Sequence, residues 1–291
     1  MTYTKNTQCP VCYGINLTPR AERLRDSDTI GIVECDTCTH VFLDSFDHIN
    51  EAYFERGEFL LNKPFLKGVE QRLHHYEHEN AERVRRVGPL VVNKRVLDFG
   101  CGAGPLMDKL RPLADQIEGL EPTDPFRQML KEKGYVVHEN TGSLSGQYDV
   151  ILMFHVVEHL PDPVNTLRDL STHLPPDGLI YLEVPNVNDA LTTLYDIDAS
   201  RRFLFFRDHL QYFSRASLSR AVKQAGLKLV TLNGHNRFGL ANHLYWLRHG
   251  KPGGHKIWSF LESQAVSEEY ARMLAAADMS DSLVAQLRLQ R

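Results

Sequence analysis

The sequence contains no apolar run near the roughly 20 residues that a membrane-spanning helix needs. Its opening stretch, "MTYTKNTQCP", lacks the apolar core of a secretory signal, so we expect a cytoplasmic protein. There is also no excess of basic residues, because 33 Lys and Arg stand against 37 Asp and Glu. We therefore expect neither a nucleic-acid nor a membrane partner, and a small molecule is the expected substrate.

Cysteine is scarce, but it is not scattered. Four of the five cysteines form two CxxC pairs, Cys9 with Cys12 and Cys35 with Cys38. Disulfides are rare in a reducing cytoplasm, so such pairs favour a metal. Two CxxC pairs separated by residues 13–34 are typical of a zinc ribbon with four thiolate ligands. With four protein ligands the zinc would be structural. The alternative is a pair of redox-active CxxC motifs.

Patterning divides the chain into four parts. Residues 1–45 form the cysteine-framed module, and residues 46–93 are predicted to be a helical linker or cap. From 94 to 250, short β-branched runs alternate with amphipathic helical patterns, which predicts an α/β domain with a mostly parallel sheet. Residues 251–291 are predicted to be a helical tail of one or two amphipathic helices. This tail is expected to pack on its own domain or to form a homodimer.

The stretch "RVLDFGCGAGPLMDKL" joins a predicted strand to a predicted helix through three glycines. The strand ends at Asp98, and Gly100, Gly102 and Gly104 follow at alternate positions. Glycines allow a tight turn and a close approach of the backbone to a ligand. A dinucleotide fingerprint, G-x-G-x-x-G/A, fails here because Pro105 occupies its last position. A dinucleotide pyrophosphate site is therefore disfavoured.

This stretch resembles the first motif of the class I S-adenosylmethionine (SAM) methyltransferases. Three later stretches resemble successive segments of the same family: "YDVILMFHVVEHLPDP", "LPPDGLIYLEVPN" and "DHLQYFSRASLSRAVKQAGLKLV". The resemblance covers roughly residues 94–235. It implies a Rossmann-like, mostly parallel seven-stranded sheet, SAM as the cofactor and methyl transfer as the activity.

The resemblance also implies which residues contact the cofactor. Glu121, at the end of the second predicted strand, would hold the SAM ribose, a role that carboxylates also have in dinucleotide sites. Gly100 and Gly102 would line the amino-acid portion, and Asp98 would support the loop or reach the methionine ammonium through water. The other expected cofactor contacts are Cys101, Gly104, Pro122, Asn140, Thr141, Phe154 and His155.

The cysteine module and this domain together resemble the zinc-containing deoxysugar methyltransferases, which act on nucleotide-linked sugars. The segment "CDTCTHVFLDSF" is similar to their second cysteine pair. Those enzymes typically continue with a further α/β domain, whereas here a short helical tail follows "GKPGG". The resemblance implies methylation, on oxygen or carbon, of a sugar, a nucleotide-sugar or a natural-product intermediate. Two alternatives are a zinc-ribbon RNA methyltransferase and a non-catalytic docking protein with a SAM-binding fold.

The segment "FHVVEHLPDP" supplies candidate catalytic residues. A helical turn would place His155, Glu158 and His159 on one face. An imidazole suits a general base at neutral pH, and His155, directly after the predicted strand and close to the expected SAM methyl group, is the first candidate, with His159 as the other. Some methyltransferases bind Mg²⁺ with Glu-x-x-Glu-His at this place, but a histidine in the first position suits Zn²⁺ or Fe²⁺ better. The third interpretation is that these residues only hydrogen-bond the end of the strand. His209, in "RDHLQYFS", is a further candidate base.

Overall fold

The protein is described here from a computed structural model, which covers residues 4–49, 51–55 and 77–290. Residues 56–76, which belong to the predicted helical linker, lie outside the described residues. The strands are β1 (Leu17–Pro19), β2 (Ile32–Cys35), β3 (Val41–Leu43), β4 (Arg95–Phe99), β5 (Gln116–Leu120), β6 (Val137–His138), β7 (Val150–Phe154), β8 (Leu179–Pro185), β9 (Gln211–Tyr212), β10 (Leu227–His235) and β11 (Ser282–Leu289). The helices are α1 (Glu51–Glu55), α2 (Glu77–Val91), α3 (Pro105–Leu110), α4 (Asp124–Glu132), α5 (Pro163–Ser171), α6 (Asp198–Leu204), α7 (Arg215–Gln224), α8 (Leu240–His249), α9 (Gly254–Ile257) and α10 (Gln264–Ala276).

The main sheet has seven strands in the order β10-β11-β8-β7-β4-β5-β6. Strands β4 to β8 all run parallel to one another, whereas β11 is antiparallel to both β8 and β10. All five residues of β7, "VILMF", are buried, as expected for a central strand with both faces covered. The predicted α/β fold with a mostly parallel sheet is confirmed.

The order of the strands determines where a ligand can bind. Chain order runs from β4 outward to β5 and β6 on one side, and then returns to β7 and β8 on the other. In open α/β sheets, ligands bind at such a switch point, outside the carboxyl ends of the strands. Phe99, Glu121 and His155 stand at or just beyond the carboxyl ends of β4, β5 and β7, so they meet at this crevice.

The C-terminal region contains the predicted helices, α9 and α10, but it ends in a strand that the prediction of a helical tail did not include. Strand β11 inserts between β10 and β8, and the side chains of Leu283, Ala285 and Leu287 are fully buried. Their alternation has the period of two that a strand requires. The prediction missed this strand because a short apolar run beside a helix fits either period.

The cysteine-framed module contributes a second sheet, with the order β1-β2-β3-β9. Strand β9 comes from the α/β domain and pairs with β3 of the module. Beside this junction His40 is fully buried, and its Nε2 lies 2.8 Å from Oε1 of Gln211. The module is therefore joined to the α/β domain through a shared sheet. Within the described ranges, no helix has the length and apolar character needed to cross a bilayer.

A buried histidine of α8 predicts acid sensitivity of the fold. His243 is 1% exposed, and burial lowers its pKa to about 4, with the charge of Asp281 opposing the shift. In the unfolded chain a histidine titrates near pH ~6.5, so the unfolded state binds the extra proton between these two values. This contribution to stability is complete above pH ~6.5 and is lost as the pH falls towards 4, at up to about 1.4 kcal/mol per pH unit.

Urea unfolding between pH 7 and pH 4.5 measures this effect. We expect His243→Asn to flatten the dependence of the free energy of unfolding on pH relative to the natural protein. Equal slopes for the two proteins would show that His243 is not the titrating group.

Candidate active site

A cavity of about 1010 Å³ lies at the carboxyl ends of β4, β5, β7 and β8. Its size is at the upper limit of the ~300–1,000 Å³ usual for small-molecule sites. Helix α2 and the segment before β9 also contribute to its wall. The predicted cofactor contacts that line it are Asp98, Gly100, Cys101, Gly102, Glu121, Pro122, Asn140, Thr141, Phe154 and His155.

The glycine loop combines two different requirements. Gly102 has a φ of +55° and no atom lies within 4 Å of the place where a Cβ would stand, so its surface is open to a ligand. A Cβ on Gly104 would instead clash with Leu130 of α4, and Gly104 does not line the cavity. Gly104 stands directly before α3 and lets α4 approach, so its position supports a packing role rather than the expected cofactor contact.

Glu121 ties the glycine loop to the end of β5. One carboxylate oxygen accepts the backbone N–H of Gly102 at 2.8 Å, and the other accepts that of Thr123 at 2.8 Å. Burial raises the pKa of Glu121, while the Thr123 and Gly102 hydrogen bonds oppose the shift. The side chain is only 5% exposed but still borders the cavity. Its remaining lone pairs can accept the hydroxyls of a ribose.

Two further ionisable groups, Asp98 and Arg83, lie on the cavity wall. Burial raises the pKa of Asp98 to about 7, and the positive charge of Arg83 opposes this shift. Arg83, on α2, lies 4.8 Å from the ring centroid of Phe154 and donates to Asn80 Oδ1 at 3.2 Å. Sequence reasoning missed Arg83 and Asn80, although their spacing on a predicted amphipathic helix places them on one face. Burial also raises the pKa of Cys101 well above its usual value, so it is a neutral thiol rather than a nucleophile.

His155 follows β7 and is held between two carboxylates. Its Nε2 lies 2.9 Å from Oε1 of Glu183, and its Nδ1 lies 3.3 Å from Oε1 of Glu158. Burial and the charge of Arg237 lower the pKa of His155, but the hydrogen bonds to both carboxylates outweigh them and raise it. Both ring nitrogens therefore face a carboxylate, and this arrangement favours the protonated ring. A ring in this state has no free lone pair with which to accept a proton.

Glu183 is the residue that determines this state, and sequence reasoning missed it. It belongs to β8, is fully buried, and also pairs with Arg86 of α2 at 2.6 Å. Its pKa is well below the usual value, because hydrogen bonding to His155 and the nearby cations outweigh the effect of burial. A single acid within the apolar strand "LIYLEVP" was the available signal, since buried carboxylates require partners.

His159 and His209 lie beside each other on the cavity wall. Their ring centroids are 4.9 Å apart, and His209 Nε2 lies 4.0 Å from Oε1 of Glu158. The Nδ1 of His159 lies 2.6 Å from the carbonyl oxygen of Asp208. A carbonyl can only accept, so this nitrogen carries the proton and Nε2 is left as an acceptor.

The same residues form a group that could hold a metal ion. Glu158, His159 and His209 each offer one ligand atom, and these atoms lie within 4.8 Å of one another. Glu158 is fully buried and stands behind the two histidines rather than on the cavity wall. Two imidazoles and one carboxylate suit Zn²⁺ or Fe²⁺ better than Mg²⁺. His155, which the metal interpretation included, is not part of this group.

The two CxxC pairs come together at the other end of the shared sheet. The Sγ atoms of Cys9 and Cys38 lie 3.6 Å apart, those of Cys12 and Cys35 lie 3.5 Å apart, and all four sulfurs lie within 4.8 Å of one another. A tetrahedral zinc with Zn–S bonds of about 2.3 Å separates its sulfur ligands by about 3.8 Å. The four cysteines are free thiols, so their arrangement fits a four-thiolate metal site.

Comparison with known proteins agrees with this architecture. A family model described as "Methyltransferase domain" matches residues 72–232. Among curated relatives, the ubiquinone biosynthesis O-methyltransferase of Aeromonas salmonicida is 27% identical over 164 residues, which cover 51% of this chain and 69% of that protein. The protein of the same name from Acinetobacter baylyi is 23% identical over 217 residues, which cover 65% of this chain and 90% of that protein.

Solved structures show the same fold. A SAM-dependent methyltransferase from Archaeoglobus fulgidus matches with a TM-score of 0.51 at 18% identity, over 79% of this chain and 99% of that one. The magnesium protoporphyrin IX methyltransferase of Synechocystis, solved with S-adenosylhomocysteine (SAH) bound, matches with a TM-score of 0.50 at 13% identity, over 84% of this chain and 99% of that one. With the family model covering more than half of its residues, the chain belongs to the class I SAM-dependent methyltransferases.

Proposed function

We propose that this methyltransferase methylates a hydroxyl oxygen of a small acceptor, with His159 as the general base. The observation that carries this proposal is the hydrogen bond from His159 Nδ1 to the Asp208 carbonyl, which leaves Nε2 as the proton acceptor of a residue that lines the cavity. The name O-methyltransferase, which the curated relatives carry, supports oxygen as the nucleophile. Sequence reasoning places His155 first as the base, but the two carboxylate partners of His155 favour His159 instead.

The two halves of the cavity have separate tasks. The glycine loop, Asp98 and Glu121 would hold SAM, which supplies an electrophilic methyl group when bound. On the other half, His159 would accept the proton of the acceptor hydroxyl as that oxygen attacks. The ring of His209 packs against that of His159, and the Glu158 carboxylate, within 4.8 Å of a His159 ring nitrogen, would stabilise the charge that His159 gains. Most of the catalysis then comes from alignment of the two reactants.

The acceptor half has an apolar wall. Ile49, Phe54, Leu160 and Pro161 line it. A hydroxylated acceptor with an apolar body therefore fits better than a bare sugar. A nucleotide-linked sugar is the second candidate, and the four-cysteine module, which resembles that of the deoxysugar enzymes, is the observation that favours it.

We also propose a structural zinc ion on Cys9, Cys12, Cys35 and Cys38. The sulfur separations support it, and four thiolates would complete a tetrahedral shell with no open position for a substrate. Metal analysis of the purified protein tests this directly. One zinc per chain is expected, while a second bound metal would assign the Glu158, His159 and His209 group to a metal site and contradict the general-base assignment.

Calorimetry with SAM and SAH tests the cofactor site, and mass spectrometry of metabolite extracts incubated with SAM tests the reaction. The expected product is heavier than its precursor by one methylene group and carries a methoxy group. Absence of SAM and SAH binding would refute the proposed function, and a product methylated on carbon would refute the oxygen nucleophile.

Once an acceptor is known, the variant His159→Gln tests the assignment of His159 as the general base. We expect kcat to fall by about 10²- to 10⁴-fold, the usual contribution of a general base, with an unchanged Kd for SAM. His249→Gln is the matched control, because His249 is an exposed histidine of α8 outside the cavity. If His155→Gln reduced kcat and His159→Gln did not, His155 would be the base.

A further inference from the structure

Arg237 places a cation in the acceptor half of the cavity. It follows β10, and β10 and β11 lie on the side of β8 that is remote from β4 and β5, whose ends carry the glycine loop and Glu121. The side chain of Arg237 is 25% exposed and lines the cavity. Its position is therefore suited to contact with the acceptor rather than with the cofactor.

A buried carboxylate orients this arginine. Asp281, 7% exposed and directly before β11, accepts the backbone N–H groups of Arg237 at 2.9 Å and of Phe238 at 3.2 Å on one oxygen. Its other oxygen accepts Arg237 Nε at 3.4 Å and the Ser282 hydroxyl at 2.8 Å. The carboxylate thus holds the inner edge of the guanidinium and the chain on which it stands.

Within the described residues, the outer edge of the guanidinium has no hydrogen-bond partner. Among the residues that the structure describes, neither Nη1 nor Nη2 of Arg237 makes a hydrogen bond. Arg83, the other arginine on the cavity wall, uses its two terminal nitrogens for Asn80 and Glu79. The nearby acid Glu183 likewise has its own cations, Arg86 and His155. Within the described ranges, Arg237 is therefore the arginine of the cavity wall whose two terminal nitrogens are available to bind a ligand.

The chemistry of these two terminal nitrogens indicates their ligand. Two parallel N–H donors of a guanidinium match the two oxygens of a carboxylate or a phosphate, and this geometry is stronger and more selective than a single charged contact. An arginine kept rigid by a buried carboxylate loses little conformational entropy when it binds such a group.

We propose that Arg237 binds an anionic group of the acceptor, a carboxylate or a phosphate, and selects anionic acceptors over neutral analogues. This inference rests on the proposed function, because it concerns the acceptor of that reaction. The anionic group takes no part in the transfer and leaves with the product unchanged. The apolar wall and this cation together describe an acceptor with a hydroxyl, an apolar body and a negative charge at one end.

Calorimetry with SAH at saturation tests the proposal through two matched pairs of probes. The carboxylate arm compares 3,4-dihydroxybenzoate with 3,4-dihydroxybenzamide, and the phosphate arm compares thymidine diphosphate with thymidine. We expect the natural protein to bind the anionic member of at least one pair about tenfold or more tightly, as a charge-assisted hydrogen bond contributes. The arm that shows the preference identifies the anion.

The variants assign the preference to Arg237. Arg237→Gln should abolish it, and Arg237→Lys should retain part of it, because lysine keeps the charge without the two parallel donors. Since Arg237→Gln leaves Asp281 buried without its cation, the double variant Arg237→Gln, Asp281→Asn provides a second test with that charge removed. The Kd for SAM should be unchanged in all of them.

Three results would overturn the inference: equal binding of both members in both pairs, a preference that survives Arg237→Gln and the double variant, or a loss of SAM affinity in place of probe affinity. The last would assign Arg237 to the cofactor. A natural protein that binds neither SAM nor SAH is a different result, which would refute the proposed function and this inference together.

Discussion

Replacing Glu121 with glutamine is expected to weaken SAM binding by about 100-fold or more, measured by calorimetry. The carboxylate accepts the backbone N–H groups of Gly102 and Thr123 and keeps lone pairs for the ribose. A glutamine side chain has one oxygen, so its amide nitrogen must face a donor. Losing two charge-assisted hydrogen bonds, each worth about 1.5–3 kcal/mol, accounts for an effect of this size.

Glu118→Gln is the matched control for this experiment. Glu118 stands on the same strand, β5, and is 8% exposed. It pairs with Arg95, His138 and Tyr148, and it does not line the cavity. We expect this variant to lose stability but to bind SAM as the natural protein does. An equal loss of affinity in both variants would point to general damage to the sheet, and a normal affinity for Glu121→Gln would remove Glu121 from the cofactor site.

The parts of the fold that follow from sequence are those encoded by local pattern. Strand β7 is a run of apolar residues long enough to be buried on both faces, and the glycine loop follows β4 with a spacing that leaves little choice of geometry. Strand β11 could not be placed in this way. Its eight residues alternate correctly, but their position between β10 and β8 depends on pairing with strands far away in the chain.

The same distinction applies to the site. Glu121 and the cavity glycines could be predicted because each follows directly from one of two successive predicted strands. The state of His155 could not, because it depends on Glu183, which β8 brings to its Nε2 from 28 positions further along the chain. Arg237 and Asp281 are also distant in sequence, and only the insertion of β11 brings them together. The sequence shows the type of each residue, but it does not show which distant residue each one contacts in the fold.

Residues 205–213 connect the cysteine module to the candidate base, His159. Strand β9, within this segment, pairs with β3 of the module. On its other side, the Leu210 N–H donates to the Glu158 carbonyl at 2.8 Å, and the Gln211 amide donates to the Leu160 carbonyl at 2.9 Å. The carbonyl of Asp208, which sets the tautomer of His159, lies two residues before Leu210 in the same segment. The segment is thus held in place by the module and by the turn that carries the base.

This connection predicts that loss of one cysteine ligand will loosen the acceptor half of the site. Structural zinc sites supply about 10–16 kcal/mol of apparent binding free energy in small zinc modules, so Cys35→Ser should lose the metal and much of the order of the module. Hydrogen exchange in residues 205–213 should then accelerate, because their partners in β3 are lost. Within the described residues, the glycine loop and Glu121 make no hydrogen bond to the module, so the Kd for SAM should change little.

Cys101→Ser is the control for the loss of a buried thiol, since Cys101 lies outside the four-cysteine group and should leave zinc content and exchange in residues 205–213 unchanged. Unchanged exchange in Cys35→Ser, despite loss of zinc, would show that the segment is held by the turn at Glu158 alone. Accelerated exchange with retained SAM binding would instead establish that the module acts on the acceptor side. A zinc site remote from the cavity would then control the position of the proton acceptor without contacting either reactant.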